Sequence, residues 1–271
     1  MADLSDLRSR IDDADRELLR VLARRFELCH EVAVVKGEAQ TQVLQPARVR
    51  EVLATRTAWA AEVGVEPEFA ELLFRSLLAE THRIEAVHLR DHGAETPSST
   101  YTPASESALQ TAACRIDHVT VAVADLEAAI EFFVDRLGFR VTQDPTSTAE
   151  TNAPSNASAP GLASAVVDAG GVTFVLMQAS SHHPGEPLST GVHHIAIEVL
   201  NAPYVRAALA ERGCALQTDV LVSGSGMERF FTVRDATSGL QLGFVSRTGE
   251  RADFDGGDIQ ALSAAIELLD D

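Results

Sequence analysis

From Leu4 to Lys36 apolar residues return every three or four positions, at Leu4, Leu7, Ile11, Ala14, Leu18, Val21, Leu22, Cys29 and Val32, with no Gly or Pro between them. This spacing puts them on one stripe of a helix, and a single long amphipathic helix is predicted. The polar break at residues 37–42 ends it. Pro46, suited to a first helical turn, opens a second periodic segment that runs to about Val63 and is closed by Gly64. Pro67 opens a third, through Phe69, Leu73, Phe74, Leu77, Leu78, Ile84 and Val87, to about Arg90. A helix of about 33 residues is about 50 Å long, more than two shorter partners cover. An intertwined homodimer is therefore expected.

Residues 94–113 are rich in Pro, Ser, Thr and Ala and carry no apolar period, which predicts a linker. Beyond it the period becomes strand-like. IDHVTVAV (116–123) precedes a helical DLEAAIEFFVDRL (125–137) closed by Gly138, and VHHIAIEV (192–199) precedes APYVRAALAERGC (202–214). The two stretches form an internal repeat that aligns His118 with His194. Further strands are predicted in 163–178 for the first repeat, and in 216–224, 229–235 and 240–247 for the second. Residues 143–161 are low-complexity and read as a loop, and the acidic tail ends in a short helical pattern, IQALSAAIELL. The expected organisation is a helical domain (1–93), a linker (94–113), a repeat domain (114–248) and a tail (249–271).

The 271 residues suit two compact domains. With 22 Lys and Arg against 40 Asp and Glu the formal charge is −18, which argues against nucleic acid and anionic membranes as partners. No apolar run reaches the roughly 20 residues of a membrane span, and MADLSDLRSR lacks the marks of a secretion signal, so a cytoplasmic protein is expected. Cys29, Cys114 and Cys214 are few, odd in number and far apart, and read as small core residues.

Arg25 and Lys36 are eleven residues apart, close to three full turns, and project from one face of the first helix. Arg8 lies about 25 Å further along the axis, out of reach of a small ligand held by that pair, but the Arg8 of an antiparallel second copy would reach it. Any one of these taken alone is an ordinary solvated helix charge. The whole pattern carries the case.

LSDLRSRIDDADRELLRVLARRFELCHEVAVVK, followed by QPARV and by WAAEVGVEPEFAELLFRSLLAETHRIE, resembles the all-helical chorismate mutases over about residues 4–90. The shared motifs are LRxxID, a double Arg after LLxxLA, a Lys eleven residues on, an Arg opening helix two, and G-x-x-x-x-F leading into helix three. The resemblance implies an all-α, three-helix mutase domain in an intertwined dimer. It needs no cofactor and makes Arg25, Lys36 and Glu85 the catalytic residues, with Lys36 and the helix-three position of Glu85 addressing the breaking ether oxygen. Arg48, Gln45, Val49, Thr81 and the second copy's Arg8 would contact a chorismate-type substrate. Such a [3,3]-sigmatropic rearrangement requires no nucleophile. The enzyme folds a dianion into its reactive conformer and puts positive charge where negative charge develops on the ether oxygen. Bidentate arginines suit the carboxylates and a lysine suits the oxygen.

Three positions depart from the family pattern. Gln45 and Val49 replace an Asp and a Glu, and Glu85 replaces a Gln. Loss of the Glu removes the usual acceptor for the C4 hydroxyl. LQPARV with THRIEAV is similar to the 4-amino-4-deoxychorismate mutases, which leaves chorismate and its 4-amino analogue both open as substrates. The isochorismate–pyruvate lyases also carry Val after that Arg, and lyase chemistry is an alternative. Glu85 must be protonated to donate to the ether oxygen, so activity is expected to fall as pH rises.

The duplicated unit (115–247) resembles the vicinal oxygen chelate superfamily, through IDHVTVAV, GVHHIAIEV and FTVRDATSGLQLGF. The resemblance implies an α+β domain of paired βαβββ units forming a cup, nearest in flavour to 4-hydroxyphenylpyruvate dioxygenases. His118 and His194 fall on its two histidine metal-ligand positions. A divalent metal would also need a carboxylate, and Gly243 stands where the glutamate is expected. Gln178 and Gln241 are the only amide candidates, and His182-His183-Pro184 reads as a solvated turn. A metal-dependent arylpyruvate dioxygenase or isomerase, or a ligand-binding regulatory module, are the alternatives for this half.

Overall fold

The computed structural model describes residues 3–92, 108–146, 163–178, 190–223 and 226–249. The His182-His183-Pro184 turn, residues 147–161 of the expected loop and the helical pattern in the tail lie outside these.

Three helices come first: α1 (Leu4–Glu38), α2 (Pro46–Glu62) and α3 (Pro67–Asp91), with α3 packed on both others. Pro occupies the first turn of α2 and of α3, where its missing N–H costs nothing. Gly64 ends α2 at φ +77°, a left-handed conformation that glycine adopts without strain. Gly37 lies inside the last turn of α1, where a Cβ would come 3.2 Å from Leu89, so its bareness lets α1 close on α3. Of α1 only Cys29 and Ala33 are buried. Leu4, Leu7, Ile11, Leu18, Val21, Leu28 and Val32 are exposed in the single chain, as are Phe69 and Leu72 of α3.

The expected linker differs at its end. Residues 108–112 form a short helix, α4 (Ala108–Ala112), with Ala108, Thr111 and Ala112 buried, and Arg75 donates to the carbonyls of Gln110 and Ala113. Five residues are too few to show a period, so the pattern hid it.

The rest is one eight-stranded sheet in the order β2-β3-β4-β1-β5-β8-β7-β6. The first βαβββ unit is β1 (Ala113–Val123), α5 (Leu126–Glu131), β2 (Arg140–Thr146), β3 (Ser164–Asp168) and β4 (Thr173–Gln178). The second is β5 (Gly191–Val199), α6 (Ala202–Glu211), β6 (Leu221–Val222), β7 (Met227–Phe231) and β8 (Leu242–Arg247). β1 and β5 pair antiparallel at the centre, and each pairs in parallel with the last strand of its own unit. The repeat extends to the helix caps. Asp125 accepts from the Ala128 N–H and Asn201 from the Tyr204 N–H, and each lies seven residues after the aligned histidine of its unit.

β2 corrects the expected loop boundary, since residues 143–146 belong to a strand. Its sequence, RVTQDPT, has one apolar residue, Val141, and its pairing with β3 is bulged, so no alternation marks it. The helical stretch after Asp125 is α5 followed by a π-helical turn, Phe132–Arg136, which Gly138 ends. The expected strand 216–224 shrinks to an isolated bridge at Leu216 and the two residues of β6.

A single apolar cluster joins the two halves. Leu44, Val49, Val52, Leu53 and Leu78 of the helical part pack with Ala108, Ala112, Val199, Tyr204, Val205, Phe230 and Phe244. No helix among the described residues is long and apolar enough to cross a membrane.

Candidate active site

α1, α2 and α3 enclose a pocket of about 310 Å³. Arg25 and Lys36 reach it from the same face of α1, as their spacing predicts, and Thr81 and Glu85 face them from successive turns of α3. Arg25 Nη1 donates to Thr81 Oγ1 at 2.9 Å, and that hydroxyl donates on to the Leu77 carbonyl at 2.7 Å. The guanidinium is thereby oriented while the rest of its donor fork stays available. Lys36 Nζ donates to the Val43 carbonyl at 2.8 Å and to Glu85 Oε2 at 2.7 Å. The carbonyl belongs to the α1–α2 connection, so the chain path there sets where the ammonium sits.

Glu85 is 3% exposed. Burial pushes its carboxyl up, and although the hydrogen bond from Lys36 and the charges of Lys36 and Arg25 pull it down, the net direction is upward. A carboxyl in this position gains a proton more readily than one in water. Arg83, its sequence neighbour, is engaged with Glu80 instead.

Gln45, Arg48 and Val49 line the α2 side of the pocket. Arg48 is exposed and pairs with Glu51 at 2.7 Å, a surface contact that a bound anion can displace at small cost. Val49 is buried and offers no hydrogen bond. Arg8 is exposed and does not line the pocket of its own chain.

Two polar residues of the lining, Arg56 and His82, were not foreseen. Arg56 stands over the Trp59 ring, 4.6 Å from its centroid. Burial and the neighbouring charges of Arg48 and Arg25 lower its pKa, with Glu51 opposing. His82 is buried beside Thr81. It sits one turn after Leu78 on the apolar stripe of α3, and a polar residue on a core stripe was the available signal.

In the sheet domain the repeat brings His118 and His194 together across β1 and β5, with ring centroids 5.6 Å apart. The residues around them do not fit a metal triad. His194 has Nδ1 2.9 Å from His193 Nδ1 and Nε2 3.3 Å from Thr120 Oγ1. His118 Nδ1 meets Asp117 Oδ2 at 2.7 Å, and the same carboxylate receives Arg247 Nε at 2.6 Å. Gly243 supplies no ligand, and a Cβ there would crowd the Phe231 ring at 3.0 Å and His194 at 3.2 Å. Gln178 is spent on the Leu126 N–H and the Ala124 carbonyl, and Gln241 donates to the Thr232 carbonyl and to Gln217. Among the described residues, no group of three or more His, Cys, Asp or Glu is placed to hold a metal.

Residues 7–86 match the family model of chorismate mutase type II. Over 102 residues the chain is 32% identical to the 4-amino-4-deoxychorismate mutase of Streptomyces pristinaespiralis, covering 38% of this chain and 79% of that protein. The chain belongs to the chorismate mutase type II family. It is an isomerase of the chorismate mutase type, a class of enzyme that needs no cofactor. This mutase is also 31% identical over 75 residues to the isochorismate pyruvate lyase of Pseudomonas aeruginosa, covering 28% of this chain and 73% of the lyase. Its residues 115–241 match the glyoxalase/bleomycin resistance protein/dioxygenase superfamily, so a vicinal oxygen chelate domain follows the mutase domain. Methylmalonyl-CoA epimerase from Mycobacterium tuberculosis aligns at 20% identity with a TM-score of 0.38, over 49% of this chain and 87% of that one.

Proposed function

We propose that the helical domain catalyses the [3,3]-sigmatropic rearrangement of 4-amino-4-deoxychorismate to its prephenate analogue. The observation that carries this reading is the pairing of Lys36 with the buried Glu85 opposite Arg25 in one pocket. Arg25 and Arg48 bind the two carboxylates of the substrate and hold the enolpyruvyl arm over the ring. Lys36 and protonated Glu85 donate to the ether oxygen as its bond to the ring carbon breaks and the new carbon–carbon bond forms. No proton or group is transferred, so the enzyme contributes conformational selection and charge placement. Loss of the carboxylate at Val49 and the 4-amino-4-deoxychorismate mutase relative favour the amino substrate over chorismate. The Val at 49 and the lyase relative leave elimination of pyruvate from isochorismate as a second reading.

The exposed apolar stripe of α1 is covered by α1 of a second copy, whose Arg8 completes the site. The protein is thus a homodimer with two pockets, each fed from both chains. The boundaries at 93 and 114 separate the two units in sequence, while their shared core makes the chelate-fold domain a buttress for α2 and α3. The test is conversion of 4-amino-4-deoxychorismate by the full chain, followed by product analysis. The rearranged product is expected, with conversion lost in Arg25→Ala. A full chain that converts none of this substrate overturns the reading.

A further inference from the structure

Leu78 packs with Val49 and Val52 in the core shared by α2 and α3, and His82 follows it by one helical turn. The imidazole lines the same pocket as Val49, the position where the carboxylate acceptor is missing. Its Nδ1 lies 2.8 Å from the Leu78 carbonyl. Only an N–H bonds to a carbonyl, so the proton is on Nδ1 and Nε2 carries a lone pair. Burial pulls the group down to about 4, with the backbone bond opposing and Lys36 assisting, so the ring is neutral. Nε2 is buried and has no hydrogen-bond partner among the described residues. The charged groups Arg25, Lys36 and Arg48 of the pocket are engaged with Thr81, Glu85 and Glu51. A buried acceptor left unpaired carries the full cost of its lost water, which a ligand donor would relieve.

We propose that His82 Nε2 accepts a hydrogen bond from the C4 substituent of the substrate and, together with Gln45, selects an amino group there over a hydroxyl. The proposal rests on the mutase reading given above. An amino group presents at least two N–H donors, enough for both the imidazole nitrogen and the Gln45 carbonyl oxygen. A hydroxyl presents one donor and leaves an acceptor unmatched. Neither acceptor is a carboxylate, so discrimination comes from the count of donors rather than from charge.

The test uses the full chain and two substrates supplied separately, 4-amino-4-deoxychorismate and chorismate. The ratio of their kcat/KM values is the readout, because a general loss of folded enzyme cancels in it. His82→Leu and His82→Asn both remove the acceptor at the Nε2 position, and His82→Gln restores one there. The expected result is a fall of about tenfold in the ratio for Leu and Asn, with Gln returning it to within a fewfold of the parent. An unchanged ratio in both Leu and Asn overturns the role of His82 while leaving the mutase reading intact. Failure of the parent protein to convert either substrate overturns both.

Discussion

Lys36 Nζ lies 2.7 Å from Glu85 Oε2, a contact made between helices α1 and α3 with the carboxylate 3% exposed. Burial raises the carboxyl while the ammonium pulls it down, so the proton balance of Glu85 responds to any further charge brought beside it. A dianionic substrate entering beside them favours protonation of Glu85, which turns an acceptor into a second donor at the ether oxygen.

A pH dependence follows. The Glu85 carboxyl is raised by burial against the pull of Lys36 and Arg25, with His82 neutral beside it. The protonated form is the active donor, so kcat/KM is high below its pKa and falls as pH rises through it. Glu85→Gln carries a permanent amide donor and is expected to flatten that limb. A mutant profile that superimposes on the parent's excludes this role for Glu85.

Loss of a donor at the ether oxygen is expected to act on the chemical step. Lys36→Ala should lower kcat by about 100- to 1,000-fold, the scale found for removal of one preorganised donor. Arg25→Ala should raise KM as well, since its guanidinium grips substrate before the reaction. Steady-state kinetics separates the two, and an equal effect on both parameters in both variants would merge their roles.

Much of this arrangement was legible in the sequence for a geometric reason. An eleven-residue interval on a helix fixes a common face, so Arg25 and Lys36 could be joined without coordinates. The aligned His118 and His194 likewise had to meet once the two repeats paired through β1 and β5. What escaped was what periodicity cannot carry. β2 has one apolar residue, α4 is a single turn and a half, and Arg56 is a charged residue on the α2 face that carries the buried Val49, Val52, Leu53 and Ala60. The crowding that a side chain at 243 would meet from the Phe231 ring depends on packing between β7 and β8, where the sequence showed only a glycine.

The buried Asp117 ties β1 to β8. Burial acts to raise its carboxyl, but hydrogen bonds from His118 and Arg247 outweigh it and hold the group far below the usual carboxylate range. With the folded pKa depressed, the stabilisation is fully present above the ordinary Asp range near pH 4. It is lost only as pH falls towards the depressed value. Arg247→Met leaves the carboxylate buried without its main counter-charge and is expected to cost about 3–5 kcal/mol at pH 7. Urea denaturation of the parent and the variant checks this, and a change below about 1 kcal/mol would show that the pair carries little.

The chelate-fold domain is expected to bind no stoichiometric metal, because Gly243 supplies no carboxylate, a side chain there would crowd Phe231, and both His194 nitrogens meet side chains of the protein. Elemental analysis after incubation with iron(II), manganese and zinc tests it. One equivalent of metal that disappears in His118→Ala and in His194→Ala would contradict the packing argument.

The most direct test is product analysis by NMR after the full chain is given 4-amino-4-deoxychorismate, chorismate and isochorismate in separate reactions. Rearrangement of the 4-amino substrate to its prephenate analogue at the highest kcat/KM, with no pyruvate released from any of the three, is the expected result. Pyruvate from isochorismate as the main product, or conversion of none of them, would contradict it.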